Sequence, residues 1–217
     1  MTDHKPLDTP ATKLLKRAHA LNNKAQTKQL YKDWAQTYDQ TMVEDLGYLS
    51  PSKAAKLFAS TVIDKKAHIL DIGTGTGLVG MELSQRGYTN IDGLDYSASM
   101  LEQARKKNIY KHLITADLNK ALTIDSEKYD ALICIGTFTH GHVGADCLNE
   151  LFRILKVGGH FITIIRTDYW ESAGFSEKLD AYIKSGHIKT IFKQQDSNYT
   201  DSKHPESWLL AWEKCAL

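Results

Sequence analysis

The sequence predicts an α/β fold with a mostly parallel sheet, helices between the strands and an antiparallel hairpin at one edge. From residue 67 onward, short apolar runs alternate with amphipathic stretches of helical period, which is typical of parallel strands joined by helices. Near the C-terminus, two β-like runs at 188–192 and 208–212 are joined by a connector too short for a crossover helix. That spacing predicts an antiparallel strand inserted at the sheet edge.

The region before this core is expected to form a tail and a helical lid over residues 1–66, with the core spanning 67–217 in the same domain. Because Pro6 and Pro10 disfavour a helix, residues 1–12 are predicted to be a frayed tail. Helical spacing then predicts three helices, at 13–22, 27–46 and 53–63. The second helix places the following residues on one face: Tyr31, Trp34, Ala35, Tyr38 and Met42.

The same patterns place the elements of the core. Strands are predicted near 67–72, 90–94, 112–116, 129–135 and 159–166. Helices are predicted near 77–86, 97–107, 145–155 and 175–185. With the two C-terminal runs, the expected sheet has seven strands.

The composition restricts the partners and the compartment. A net charge of +1, without a long basic run, gives no electrostatic footprint for nucleic acid or a membrane surface. Cys134, Cys147 and Cys215 form no paired framework, which favours a reducing setting. The polar start does not resemble a signal peptide, and no apolar run reaches membrane-spanning length. We therefore expect a soluble, cytoplasmic protein.

The most informative segment is Ile69–Gly77, which reads Ile-Leu-Asp-Ile-Gly-Thr-Gly-Thr-Gly. An apolar strand runs into glycines at 73, 75 and 77, and Leu78 opens an amphipathic helix. Glycines at this spacing let the backbone approach a ligand closely and direct helix amides towards it. The segment therefore predicts a loop that holds a nucleotide-type cofactor.

Two cofactors are compatible with this loop. Residues 75–80 formally satisfy the dinucleotide pattern G-x-G-x-x-G, and Asp95 follows at a suitable distance, so a nicotinamide-dependent oxidoreductase is the remote alternative. Three features favour S-adenosylmethionine instead. Asp71 suits an α-ammonium group but would repel a pyrophosphate. The carboxylate of Asp117 can accept a hydrogen bond from an adenine amine while Leu118 packs against the ring, and the plain dinucleotide fold lacks an edge hairpin.

With these residues, the chain resembles the class I S-adenosylmethionine-dependent methyltransferases over about residues 30–215. The resemblance implies a Rossmann-like fold, S-adenosyl-L-methionine as cofactor and S-adenosyl-L-homocysteine as product. It also implies that the Asp95 carboxylate accepts hydrogen bonds from both ribose hydroxyls. The residues expected to bind the cofactor are Tyr31, Tyr38, Asp71, Gly73, Thr74, Gly75, Gly77, Asp95, Tyr96, Met100, Asp117, Leu118, Ile135 and Gly136. The resemblance also implies that Thr137 lies against the cofactor.

A narrower resemblance is carried by four segments. They are 31–39 (Tyr-x-x-Trp-Ala-x-x-Tyr-Asp), 77–80 (Gly-Leu-Val-Gly), 91–95 (Ile-Asp-Gly-Leu-Asp) and 138–143 (Phe-Thr-His-Gly-His-Val). Together they look like the Williams–Beuren-region methyltransferase-like proteins. That group label implies methyl transfer but identifies no substrate.

The candidate catalytic residues are His140 and His142, which follow the fourth predicted strand. A neutral histidine can remove a proton from an amine, thiol or hydroxyl acceptor. Alternatively, both histidines only fix the loop or cap the next helix. A metal site is not expected, since no nearby third ligand completes a His-x-His set.

Several other residues have ordinary structural interpretations. Trp34 is expected in the buried stripe of its helix, whereas Tyr31 or Tyr38 is expected to contact the cofactor near its methionine end. Asp92 is expected to face solvent or form a turn. Cys134 is expected to be a small buried apolar residue. The basic cluster at 105–107 is interpreted as a solvated helix terminus.

The acceptor is expected to be a small molecule, because no nucleic-acid-binding motif or recognition domain is evident in the sequence. The N-terminal helices and region 168–185, including Tyr169, Trp170 and Phe175, are expected to form the acceptor pocket. A protein side chain is a lesser possibility. A protein that binds the cofactor without transferring its methyl group, as a sensor or assembly factor, is the principal alternative. The oligomeric state is not predicted.

Overall fold

The computed structural model describes residues 9–20, 24–138, 143–202 and 204–216. Its centre is a seven-stranded sheet in the order β3-β2-β1-β4-β5-β7-β6. The strands are β1 (Ile69–Ile72), β2 (Ile91–Asp95), β3 (Leu113–Thr115), β4 (Tyr129–Cys134), β5 (Leu155–Arg166), β6 (Ile188–Asp196) and β7 (Ser207–Lys214). The first five strands run parallel, and β7 pairs antiparallel with both β5 and β6. The predicted sheet and its edge hairpin are confirmed.

Helices cover both faces of the sheet. They are α1 (Pro10–Ala20), α2 (Lys24–Trp34), α3 (Ser50–Thr61), α4 (Leu78–Gln85), α5 (Ala98–Lys106), α6 (Leu148–Ile154), α7 (Thr167–Ser172) and α8 (Phe175–Lys184). The prediction that residues 10–12 belong to a frayed tail is wrong, because α1 starts at Pro10. Proline is tolerated in the first turn, and the Thr9 hydroxyl accepts the Thr12 amide at 3.2 Å.

The predicted continuous helix over 27–46 is also wrong. The α2 helix ends at Trp34, whose carbonyl accepts the amide of Thr37 in a tight turn. The chain then winds into a π-helical segment, Gln40–Asp45, in which Leu46 donates to Thr41 across five residues. This irregular backbone turns the chain so that Asp39 reaches the core.

The two faces of the sheet are buried in separate apolar clusters. Alternate side chains of β1 take opposite sides: Leu70 and Ile72 pack in one cluster, while Ile69 packs in the other with Phe58 of α3. A third, smaller cluster lies in the N-terminal region around Leu30, Trp34 and Met42. Within the described residues, no helix is long and apolar enough to cross a membrane.

Asp92 corrects a further prediction, since its side chain is only 1% exposed. Its carboxylate contacts His68 Nε2 at 3.0 Å and His112 Nδ1 at 2.9 Å, and it accepts the Tyr129 hydroxyl at 3.1 Å. Burial alone would raise the pKa of Asp92, but these hydrogen bonds outweigh it and lower the pKa. Asp92 therefore joins β2 to the segments that begin β1, β3 and β4.

Candidate functional site

The loop after β1 is held against the end of β2. The amides of Gly73 and Thr74 donate to the carbonyl of Leu94 at 2.7 and 3.0 Å. Gly73 has a φ of +67°, and a Cβ atom there would lie 1.8 Å from Oγ1 of Thr137. Any larger residue would therefore displace either the loop or the segment after β4, so the backbone requires glycine at this position.

Asp71 is buried behind this loop. Its Oδ2 accepts the hydroxyl of Tyr110 at 2.7 Å, whereas its Oδ1 has no hydrogen-bond partner among the described residues. Burial raises the pKa of Asp71 to about 7, although the Tyr110 hydrogen bond opposes this effect. Asp71 thus titrates near neutrality with one oxygen available to a polar group.

Tyr110 was not recognised from the sequence, yet it explains the last glycine of the G-x-G-x-x-G pattern. A Cβ atom on Gly80 would lie 2.2 Å from the Tyr110 hydroxyl oxygen. Gly80 therefore makes room for the phenol that contacts Asp71. The apparent dinucleotide match has a packing cause that requires no pyrophosphate.

Asp95 ends β2 beside the loop. Its Oδ2 accepts the amide of Gly75 and its Oδ1 accepts the amide of Ser97, both at 2.8 Å. Burial raises the pKa of Asp95, while these amides oppose that rise. The two backbone bonds fix the carboxylate at the carboxyl edge of the sheet, where open α/β sheets place their ligands.

A cavity of about 1100 Å³, including its open mouth, lies at this edge. Its lining includes all the residues predicted to bind the cofactor except Asp71 and Gly77. The lining residues absent from the prediction are Tyr48, Pro51, Thr76, Leu78, Val79, Leu94, Ser97, Ala116, Asn119 and Val143. The sequence-predicted residues therefore come together in one cleft.

The N-terminal region closes one side of this cavity with aromatic residues. Tyr31 and Tyr38 line it, and the ring of Trp34 lies 6.2 Å from Tyr31 and 4.8 Å from Tyr38 between ring centroids. Burial raises the pKa of both tyrosines, so both phenols are neutral at physiological pH. Trp34 itself is buried, as predicted.

Asp39 attaches this region to the core. Its carboxylate accepts the hydroxyl of Thr76 from the glycine loop and forms an ion pair with Lys107 at 2.6 Å. The interpretation of residues 105–107 as a purely solvated terminus is therefore wrong for Lys107, whose side chain is 19% exposed.

A second cavity, of about 620 Å³ including its open mouth, adjoins the first. Four residues line both: Tyr31, Tyr38, Tyr48 and Gly136. The remaining lining comes from the N-terminal region, the segment after β4, β5 and the β6–β7 hairpin. It consists of Leu15, Ala18, Trp34, Met42, Phe138, Ile164, Arg166, Asn198, Tyr199 and Ser207.

The edge hairpin joins the N-terminal region around this second cavity. The carbonyl of Asn198 accepts the amide of Leu49 at 2.7 Å, and its side-chain oxygen accepts the Ser50 hydroxyl at 2.9 Å. The side-chain nitrogen Nδ2 of Asn198 donates to the hydroxyl of Ser207 at 2.7 Å. The hairpin therefore supports the wall opposite α2.

The residues expected to form the acceptor wall lie outside the described linings of both cavities, and their role in an acceptor pocket stays a prediction. Tyr169, Trp170 and Phe175 line neither cavity: Phe175 is fully buried against Phe138, and Trp170 packs beside Trp208. Packing in the core explains why α7 and α8 carry these aromatic residues. His140 and His142 lie outside the described residues, so their catalytic role stays a prediction.

Comparison with known proteins identifies the family. A family model described as a methyltransferase domain matches residues 69–159, which contain the glycine loop and Asp95. Methyltransferase-like protein 27 of Homo sapiens is 32% identical over 170 residues, covering 77% of this chain and 68% of the human protein. The chain belongs to the class I S-adenosylmethionine-dependent methyltransferases. Its cofactor is S-adenosyl-L-methionine, with S-adenosyl-L-homocysteine as product.

Two further proteins are similar to this methyltransferase, one in sequence and one in fold. EEF1A lysine methyltransferase 2 of Mus musculus is 31% identical over 162 residues, covering 68% of this chain and 63% of that protein. The methyltransferase in a complex with the Trm112 activator of Haloferax volcanii superposes with a TM-score of 0.65 at 18% identity, covering 86% of this chain and 98% of the other. The latter similarity shows the fold alone.

Proposed function

We propose that this methyltransferase acts on a small-molecule acceptor held in the second cavity. The observation that carries this proposal is the wall formed by Tyr31, Tyr38, Tyr48 and Gly136, which the two cavities share. We infer that a methyl donor in the first cavity and an acceptor in the second meet at this shared boundary. The second cavity is also enclosed by the N-terminal region and the edge hairpin, which suits a compact ligand.

The first cavity fits the cofactor in size and in chemistry. The positive-φ glycine loop leaves backbone within reach of a ligand, and the Asp95 carboxylate lies where it can accept ribose hydroxyls. Asp117 and Leu118 are proposed to hold the adenine. The buried Oδ1 of Asp71, behind the glycine loop, is proposed to attract the α-ammonium group by its negative charge.

The chain's contribution to the reaction is proposed to be alignment and exclusion of water. When bound, the cofactor supplies an electrophilic methyl group on a sulfonium: the methyl–sulfur bond breaks as the acceptor's lone pair forms the new bond. The neutral phenols of Tyr31 and Tyr38 present electron-rich faces to that cation. His140 or His142 is proposed to take the proton from an acceptor that arrives protonated.

Residues 9–66 are proposed to act as a lid on the core that follows. The lid is attached by Asp39 to Thr76 and Lys107, and by Leu49 and Ser50 to Asn198. The three cysteines are free, which agrees with the proposed cytoplasmic location.

A protein lysine is the second candidate acceptor, because the similar mouse protein is named a lysine methyltransferase. Size fractionation separates the two possibilities. A cell extract is divided into a low-mass filtrate and a desalted protein fraction, and formation of S-adenosylhomocysteine is measured with each. The small-molecule proposal expects turnover in the filtrate. Turnover in the protein fraction alone would contradict it, and binding without turnover in either would favour a sensor.

A further inference from the structure

The second cavity has a charge pattern that restricts its ligand. Arg166, at the end of β5, is the one charged residue in its lining among the described residues. A guanidinium carries a permanent positive charge and can only donate hydrogen bonds. No carboxylate of the described chain lines this cavity to neutralise a cationic ligand.

The hydrogen bonds of Arg166 fix its guanidinium without using all its donors. Nε and Nη2 donate to the two oxygens of Asp168 at 3.0 and 2.9 Å. Asp168 is more exposed than Arg166, with 50% against 26% of the side chain accessible, and it lies outside the cavity lining. Within the described chain, Nη1 of Arg166 meets no acceptor. The other acid that acts on Arg166 is Glu206, whose Oε1 already accepts the amide of Asn198.

Trp34 is a second donor in the same lining. Its ring is 3% exposed, and its Nε1 finds no hydrogen-bond acceptor among the described residues. An indole N–H is a donor only, and a buried donor without an acceptor is unfavourable. The side-chain oxygen of Asn198 accepts the Ser50 hydroxyl and makes no hydrogen bond with Trp34 Nε1. A ligand with an anionic oxygen would satisfy both Arg166 and Trp34.

The remaining walls are largely apolar. Tyr48 and Tyr199 pack against each other with ring centroids 5.4 Å apart, and Phe138 also lines the cavity. An aromatic wall of this kind favours a planar ligand body that can stack on it. The cavity therefore combines one anion-binding end with an aromatic wall.

We propose that the acceptor is a small planar acid whose carboxylate binds Arg166 and Trp34. This inference rests on the proposed function. Arg166 lines the second cavity only, whereas Tyr31 and Tyr38 line both cavities. The carboxylate is thus an anchor held away from the cofactor, and the methyl-accepting atom lies at the opposite end of the ligand, against the shared wall.

A paired-ligand titration tests this inference. Benzoate, phenylacetate and 4-hydroxybenzoate are each compared with the corresponding neutral amide by calorimetry, with the protein saturated in S-adenosylhomocysteine. At least one acid should bind about tenfold more tightly than its amide, because only the carboxylate carries a negative charge that forms an ion pair with the guanidinium. Arg166→Gln should abolish that preference, and Trp34→Phe should reduce it severalfold. Arg86→Gln, which removes a guanidinium paired with Glu82 away from both cavities, should leave it unchanged.

The outcomes separate this inference from the function on which it rests. If S-adenosylhomocysteine itself does not bind to the unaltered protein, the proposed function fails. The planar-acid inference is overturned if S-adenosylhomocysteine binds but no acid binds more tightly than its amide. It is also overturned if the Arg166→Gln variant still binds an acid more tightly than its amide. In both cases the methyltransferase assignment stands. Retained S-adenosylhomocysteine binding in each variant shows that the variant is folded.

Discussion

The hydroxyl of Tyr110 donates to Oδ2 of Asp71 at 2.7 Å and leaves Oδ1 of the same carboxylate without a partner in the described chain. A buried acid with one satisfied oxygen is costly unless a ligand completes it. Because burial raises the pKa of Asp71 to about 7, the ionised form destabilises the ligand-free protein above that pH. The Tyr110–Asp71 pair therefore couples cofactor binding to stability: the protein without cofactor is less stable at this position.

Asp71→Asn should stabilise the protein at alkaline pH and weaken its binding of the cofactor. The folded pKa of Asp71 lies above its unfolded value, so its contribution to stability is present at low pH and is lost as pH rises through about 7. At pH 8, the variant should gain about 1–3 kcal/mol in free energy of unfolding. Denaturant melts at pH 5 and pH 8, with calorimetry for S-adenosylmethionine, check both effects. An equal change at both pH values would contradict the account.

Gly80→Ala should be destabilising because the added Cβ would lie 2.2 Å from the Tyr110 hydroxyl. Overpacking of this kind costs about 1–3 kcal/mol and should also weaken cofactor binding by moving Asp71. Gly144→Ala is the matched control, since a Cβ there meets no atom of the described residues within 4 Å and its φ of −87° is ordinary. Thermal melts of the two variants should differ. If they are equally stable, Tyr110 does not fill the space above Gly80.

Asp39→Asn should loosen the lid without unfolding the core. The change weakens the contacts to Thr76 and Lys107, whose ion pair is partly exposed and worth at most about 1 kcal/mol. Hydrogen exchange over residues 24–50 should accelerate, and affinity for S-adenosylmethionine should fall severalfold. Asp33→Asn, on exposed α2 surface beside Gln29, serves as the control. Unchanged exchange in the Asp39 variant would show that this residue does not hold the lid.

Asp92→Asn should lower stability near neutral pH and have little effect in acid. The folded pKa of Asp92 is lowered, so its stabilisation is present above the unfolded pKa of about 4 and is lost as pH falls through the folded value. At pH 7, the loss should be about 1–3 kcal/mol, because hydrogen bonds to a buried carboxylate are weakened. Unfolding free energies from pH 7 to pH 3 should converge with those of the unaltered protein. A constant difference across this range would refute the role assigned to Asp92.

The fold and the site could be predicted from the sequence where the residues that determine them are close together in the chain. The strand, the glycines and the helix start at 69–78 are contiguous, so the loop could be predicted from spacing, whereas much of the rest of the cleft was implied by the resemblance to class I methyltransferases. The antiparallel hairpin followed from a connector too short for a helix. Helical period placed Tyr31 and Tyr38 on one face, and the resemblance implied their contact with the cofactor; both line the cavity even though the helix ends between them.

Long-range contacts account for the failures. Asp92 is buried because His68, His112 and Tyr129 converge on it from three different segments, which no local pattern reveals. Arg166 looks like an ordinary charged residue at a strand end until the fold brings it to the same cavity as Trp34.

The most direct test of the cofactor cavity is a calorimetric titration of the unaltered protein and of Asp95→Asn with S-adenosylmethionine, S-adenosylhomocysteine and NADH. Asp180→Asn, on exposed α8 surface, is the control. The account predicts micromolar binding of both sulfur ligands, weakened at least tenfold by Asp95→Asn because a neutral amide holds two ribose hydroxyls less well, and no binding of NADH. Binding of NADH, or equal affinity for the sulfur ligands in all three proteins, would contradict it.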